Sequence, residues 1–238
     1  MEQWVSWVLA AGLGVAAVGL WRRLIAAGSA RKMARAGYLD LCQPLFTGSF
    51  TKVAETGFPR LSGQYRGQKF DIQVVPDTLS YRKLPTLWLL VSLPAALPLT
   101  ATFDLMLRPT GLESFSNFAR LPRQIALPAG FPESGAIRSD NPAAMADEAI
   151  LRRHLAAFAG EGLKELLVAP SGVRVVWLVE EADRGRYLLF RDGEMGRYPL
   201  AARVLQPLLA GVQDLWRDLA AEPGKPGSEP EKPEAKHP

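Results

Sequence analysis

Apolar positions recur along this chain with two periods, and the changes between them divide it into elements. Phe70, Ile72 and Val74 alternate with Lys69, Asp71 and Gln73, the twofold repeat of a strand with one buried face. Residues 63–65 precede it across Arg66-Gly67, so two paired strands are predicted. Residues 87–93 and 101–107 read as a buried hairpin turning at Pro94 to Pro98; in the second, Phe103, Leu105 and Leu107 alternate with Thr102, Asp104 and Met106. Thr110 and Glu113 form a capping box, and Leu112, Phe115, Phe118 and Leu121 follow at helical spacing. Residues 122–140, rich in Pro and Gly, are irregular. Asn141-Pro142 opens a second helix with the stripe Ile150, Leu151, Leu155, Phe158, stopped by Gly160 and Gly162. Residues 163–169 and 173–180 make a hairpin around Pro170-Ser171-Gly172, and residues 186–190 add a strand. A closing helix from near Pro199 carries Leu200, Val204, Leu208, Val212, Leu215 and Leu219. The expected class is α+β: an N-terminal transmembrane helix, then a mostly antiparallel sheet packed with about three helices.

The transmembrane expectation rests on residues 4–21, an 18-residue run whose only polar side chain is Ser6. At 1.5 Å per residue this spans about 27 Å, close to a hydrocarbon core. Trp4, Trp7 and Trp21 stand near its ends, and Glu2 is the only charge before it, which is not the start of a cleaved leader. Arg22, Arg23, Arg31, Lys32 and Arg35 follow it, placing the N-terminus outside and the remainder in the cytoplasm. Residues 4–21 would contact the lipid bilayer, and Ala10, Gly12, Gly14 and Ala16 offer the small-residue spacing that lets two such helices approach. A second uncharged stretch, residues 84–103, contains Pro85, Pro94 and Pro98 and reads better as strands than as a second span.

Charge supports this division. Of the formal +4, the first 35 residues carry five basic groups against Glu2, and residues 222–238 carry three lysines against four glutamates, which leaves +1 on the remainder. A nucleic-acid-binding domain concentrates its basic residues on the folded part, so nucleic acid is excluded as a partner. The organisation expected is an anchor (1–21), a basic juxtamembrane helix (22–36), one α+β domain (37–221) and a disordered Pro/Glu/Lys tail (222–238). The single cysteine, Cys42, excludes an internal disulfide framework and fits a reducing compartment.

Ser139-Asp140-Asn141-Pro142 opening a helix, followed by a strand meander and a Leu-rich closing helix, resembles the end of some bacterial membrane-anchored domains of unknown function. The resemblance covers residues 60–221. It implies an α+β fold and a bacterial origin, and carries no activity, cofactor or site residue.

The chain carries little recognisable chemistry. His154 and His237 are the two histidines; His154 lies beside the apolar stripe of its helix, where packing explains it. No second His or Cys stands at zinc-ligand spacing, and no phosphate-binding loop, dinucleotide fingerprint or nucleophile elbow is present. Ser80 and Lys83 match S-x-x-K without its partner motifs. Asp140, Asp147 and Glu148 offset a helix dipole; Glu180, Glu181 and Asp183 form a solvated turn; Cys42 among Leu39, Leu41, Leu45 and Phe46 is an inert buried thiol. Trp88 and Trp177 belong to the core; Trp216 on the last helix belongs to the core or to a partner surface. The sequence therefore assigns no catalytic residue, no cofactor and no metal ligand. The function expected is a non-enzymatic interaction or scaffold domain at the cytoplasmic face of a bacterial inner membrane. Its companion would be a membrane protein or a second copy of the chain. The alternatives are a lipid or apolar-ligand binder and an enzyme with a dispersed site.

Overall fold

The computed structural model describes residues 2–78, 84–111, 113–158, 160–190 and 193–222, with backbone alone at 2–6, 8–11 and 190. Helix α1 (Glu2–Ala36) leads into a short 3-10 turn (Asp40–Leu45) and strands β1 (Thr47–Val53), β2 (Pro59–Tyr65), β3 (Gln68–Asp77), β4 (Thr86–Leu93) and β5 (Phe103–Leu107). Two further strands, β6 (Arg123–Ile125) and β7 (Gly135–Ser139), precede α2 (Glu148–Ala157). The hairpin β8 (Leu163–Ala169) and β9 (Gly172–Glu181), then α3 (Arg184–Phe190) and α4 (Ala202–Ala221), complete the described chain. All described strands join one sheet in the order β1-β2-β3-β4-β9-β8-β5-β7-β6, every neighbouring pair antiparallel. The chain is α+β.

The expected transmembrane helix is not supported. Among the described residues no helix is long and apolar enough to cross a membrane. Seven of the 18 residues in the run at 4–21 are Ala or Gly. Ala and Gly contribute little transfer free energy compared with Leu, Ile or Phe. The helix also does not end at Trp21: α1 continues through Arg22 and Arg23 to Ala36. The single-pass anchor, the bilayer contact through residues 4–21, the inner-membrane location and the topology drawn from them are withdrawn together.

One face of the sheet carries the main core. Phe70, Ile72 and Val74 of β3, Leu87, Leu89 and Val91 of β4, and Val173 and Val175 of β9 point to it, all nearly solvent-free. Helix α4 covers that face with Leu205, Leu208, Leu209, Val212, Leu215 and Leu219, and α2 adds Leu151, Leu155 and Phe158. Burying each such side chain contributes about 1.5–3 kcal/mol. The opposite face holds a second, smaller cluster of Trp88, Leu90 and Val176 with Val75, Phe115 and Leu178.

Four local expectations are corrected. Strands β4 and β5 do not form a hairpin, because β9 and β8 lie between them. The linker leaves β4 bound elsewhere: Leu97 N–H donates to Pro170 O (3.0 Å) in the β8–β9 turn, and Trp216 Nε1 donates to Ala95 O (3.1 Å). Residues 186–190 are helical, because the Asp183 carboxylate, read as part of a solvated turn, caps α3 by accepting from Arg186 N–H (2.7 Å). The box at Thr110 starts no helix. Glu113 Oε1 accepts from Thr110 N–H (2.6 Å) but also from Lys164 Nζ (2.9 Å), and only a 3-10 turn, Phe118–Arg120, follows. Asn141-Pro142 begins a 3-10 turn (Pro142–Ala144), and Asp147 caps α2 itself, accepting from Ala149 N–H at 2.7 Å. Strands β1, β6 and β7 have no counterpart among the predicted elements.

Candidate functional site

Two clusters of charged side chains stand out, and they differ in how far the protein satisfies them itself. The first lies on the sheet face opposite α4. A bulge in β8 between Leu163 and Glu165 turns both Lys164 and Glu165 into buried positions. Lys164 Nζ donates to Leu107 O (3.0 Å), Arg108 O (2.9 Å) and Glu113 Oε1 (2.9 Å), which uses all three ammonium protons. The Lys164 ammonium and the Thr110 donors outweigh burial and hold Glu113 at about 2. Glu165 accepts from Arg174 Nη2 (3.2 Å) and from the Ser116 hydroxyl. Burial raises Glu165 against the pull of Arg174 and Ser116.

Asp104 of β5 belongs to the same cluster and is 1% exposed. Burial first, then the Glu165 carboxylate, raise it to about 8, with Arg174 opposing. Its register partner Arg138 points instead to the Ala119 and Leu121 carbonyls (3.2 and 3.0 Å). Asp104 Oδ1 and Arg174 Nε have no hydrogen-bond partner among the described residues. A cleft of about 460 Å³ adjoins this cluster, lined by Trp88, Phe115, Arg108, Glu113, Lys164 and Glu181 among others. Lys164, Glu113 and Glu165 are committed within the protein, to backbone carbonyls, Thr110, Ser116 and Arg174, whereas Asp104 Oδ1 and Arg174 Nε are not. These bonds tie Arg108, Glu113 and Ser116 to the sheet.

The second cluster lies where the last turns of α1 meet the segment after α3. Ala27, Ala30 and Ala34 share one face of α1, and their small side chains leave room between the elements. Arg31 and Arg35, one turn apart, border that face from α1; Arg186 and Arg197 border it from the other side. The resulting cleft is about 500 Å³. Glu194 bridges the two walls as an ion pair with both, its oxygens 3.4 Å from Arg31 Nε and 3.1 Å from Arg186 Nη2. Arg35 lies over the Phe58 ring (5.6 Å), and Arg197 over Tyr198 (5.6 Å). Gly196 makes the close approach possible. It has φ +72°, and a Cβ there would stand 2.5 Å from Phe58 Cε1. Its N–H is held by Glu180 Oε2 at 2.9 Å. Four guanidinium groups and the Glu194 carboxylate line the cleft among the described residues. The elements that supply its lining also carry exposed apolar side chains: Leu24 and Ile25 on α1, Leu188 and Leu189 on α3, and Tyr198 beside Arg197 in the chain.

The residues singled out in the sequence fall into separate places. His154 is buried and its Nε2 pairs with Asp218 Oδ2 of α4 at 2.7 Å, joining α2 to α4. The Cys42 thiol is buried, donates to Leu200 O (3.3 Å) and is pushed by burial up to about 11. Asp140 is tied to Thr102, accepting from its N–H (2.7 Å) and hydroxyl (3.0 Å). Ser80, Lys83 and His237 lie outside the described residues, as does the tail beyond Glu222. Among the described residues no group of three His, Cys, Asp or Glu side chains could hold a metal ion. The arginine cleft is not visible from sequence. Arg31 and Arg35 stand at helical spacing, but nothing local links them to Arg186 and Arg197, more than 150 residues later.

No protein-family model matches the chain, and no curated protein is similar to it. A solved structure, that of the mycobacterial trehalose monomycolate transport factor A, TtfA, is similar over 82% of this chain and 98% of that one. The identity is 15% and the TM-score 0.40, and a likeness at that level carries no functional argument.

Proposed function

We propose that this protein is a non-enzymatic binding domain for an anionic amphiphile, a molecule with an acidic headgroup and an apolar tail. The observation that carries this reading is an arginine-lined cleft built from elements, α1 and the segment from α3 to Tyr198, that also carry uncovered apolar side chains. Arg31, Arg35, Arg186 and Arg197 supply charge and planar donors for an oxyanion. Leu24, Ile25, Leu188, Leu189 and Tyr198 supply apolar surface beside them. A volume of about 500 Å³ is within the usual range for small-molecule sites. The competing charged cluster around Glu165 favours a structural role, since the Lys164 ammonium and the Glu113 and Glu165 carboxylates find partners inside the protein.

The test is calorimetric titration of the full chain with two single-chain lipids below their micelle concentrations. Oleoyl lysophosphatidic acid should bind, and monooleoylglycerol, which has the same tail without the acid, should bind about tenfold or more weakly. Equal affinity for the two would remove the headgroup from the account, and no binding of either would end it.

A second reading, an interaction domain for a protein partner, is favoured by Leu13, Val18, Leu20 and Trp21, which leave much of α1 apolar and exposed. Sedimentation equilibrium showing concentration-dependent dimers that Trp21→Glu dissolves would support it over the first. A monomer at all concentrations would count against a second copy as the partner.

A further inference from the structure

We infer that the four arginines of the cleft divide their work: Arg35 and Arg197 contact the ligand's phosphate-class headgroup, while Arg31 and Arg186 act mainly as a strut between the two walls. The inference rests on the binding reading above. Arg31 and Arg186 are both engaged with Glu194, at 3.4 and 3.1 Å. The guanidinium groups of Arg35 and Arg197 have neither an ion pair nor a hydrogen bond among the described residues. Each lies instead over an aromatic ring, Arg35 over Phe58 at 5.6 Å and Arg197 over Tyr198 at 5.6 Å. Such a contact fixes the charge in place and leaves most of the five donors of the planar fork for an oxyanion.

Backbone that the fold fixes brings these two side chains together. Gly196 is the meeting point: a Cβ there would stand 2.5 Å from Phe58 Cε1 and 3.4 Å from Arg35 Cγ, so glycine lets the ring and the arginine stem close on this segment. Arg197 is the next residue. The segment is pinned on both sides of it, Gly196 N–H donating to Glu180 Oε2 (2.9 Å) and Leu200 N–H donating to Tyr38 O (2.7 Å). Tyr38, just beyond the last turn of α1 that carries Arg35, is buried and packs edge-on against Phe58 at 5.9 Å. Both arginines thus project from backbone that is ordered before a ligand arrives, which lowers the entropy cost of binding. Cations gathered on one short stretch of wall repel each other. A phosphate monoester, with more than one negative charge and three terminal oxygens, relieves that repulsion by accepting from both forks.

The same chemistry could reach the cleft as a lipid headgroup or as a free phosphate ester, and three probes separate these sources: oleoyl lysophosphatidic acid, glycerol 3-phosphate and inorganic phosphate. Each is titrated into the full chain at low salt, wild type and variants. Arg35→Gln and Arg197→Gln should each weaken lysophosphatidic acid by about tenfold, the scale of a charge-assisted hydrogen bond. Lysine keeps the charge but not the planar fork, so Arg35→Lys and Arg197→Lys should weaken it by about fivefold or more. Arg31→Lys retains a cation facing Glu194 and should cost less than about threefold. Circular dichroism melts confirm that each variant is folded, and the variants of Arg197, an exposed side chain, carry the test if those of Arg35 do not fold. Wild-type affinity in both Arg35→Lys and Arg197→Lys would overturn the division of work while leaving the binding reading standing. A loss in Arg31→Lys as large as that in Arg197→Lys would do the same. Absence of binding to wild type would overturn both. If glycerol 3-phosphate and inorganic phosphate bind as tightly as the lipid and lose affinity in the same variants, the arginine pair holds but the tail plays no part.

Discussion

At the residue scale the most consequential group is Asp104. Its raised pKa, about 8, means that the folded protein keeps a proton there that the unfolded chain has already lost. The sign follows from linkage: this contribution to stability is full below about pH 4, where both states are protonated, and is lost as pH rises towards 8. Glu165 shifts in the same direction, with Arg174 the cation facing both. Replacing Asp104 by Asn removes the titration but not the shape. The Asp104→Asn variant should melt at the same temperature as wild type near pH 4 and higher than wild type near pH 8, read by circular dichroism across that range. A pH 8 melting temperature at or below wild type would show that Asp104 is ionised and stabilising in the folded state.

The same residues show where reading the sequence stops. Phe70, Ile72 and Val74 were legible because β3 buries one face and exposes the other, so its alternation is visible. Strand β5 is buried on both faces, and Asp104, which the twofold pattern sends to solvent, is one of its most enclosed side chains. Lys164 and Glu165 hide for a related reason: a bulge, which has no sequence signature here, puts adjacent residues both inside.

At the element scale, local signals held where one helix or hairpin satisfied itself and failed where a distant partner intervened. The stripe from Leu208 to Leu219 specifies α4, and the turn at Pro170 to Gly172 specifies β8–β9. Glu113, by contrast, is diverted from its helix by Lys164, 51 positions away. The packing of α4 on α2 gives a test at this level. Gly211 lies within α4, where alanine normally gains about 1 kcal/mol of helix propensity. Here an added Cβ would stand 2.8 and 2.9 Å from Cε1 and Cζ of Phe158, whose ring is 1% exposed and hemmed in by the core. Gly211→Ala should therefore destabilise the fold by about 1–3 kcal/mol, the usual range for overpacking, in urea unfolding. A stabilised variant would mean that the two helices pack more loosely than these distances imply.

At the scale of the whole molecule, the strand order carries information that no segment contains. Inserting β9 and β8 between β4 and β5 brings together residues from both halves of the chain and gives α4 a continuous apolar face to cover. The arginine cleft arises in the same way, from α1 at one end of the sequence and the segment after α3 near the other. Its charge was legible only as an excess in the first 35 residues, where it suggested a topology that the helix does not support. Two of the five basic residues there, Arg31 and Arg35, line the cleft instead. The central claim is that an anionic amphiphile binds there, and photo-crosslinking tests it most directly. The full chain is irradiated with lysophosphatidic acid carrying a diazirine in its acyl chain, and the adducts are mapped by peptide mass spectrometry. The account predicts adducts on residues 24–35 and 186–198, suppressed by unlabelled lysophosphatidic acid and not by monooleoylglycerol. Adducts concentrated on Trp88 and Phe115 at the opposite cleft, or spread evenly over the surface, would contradict it.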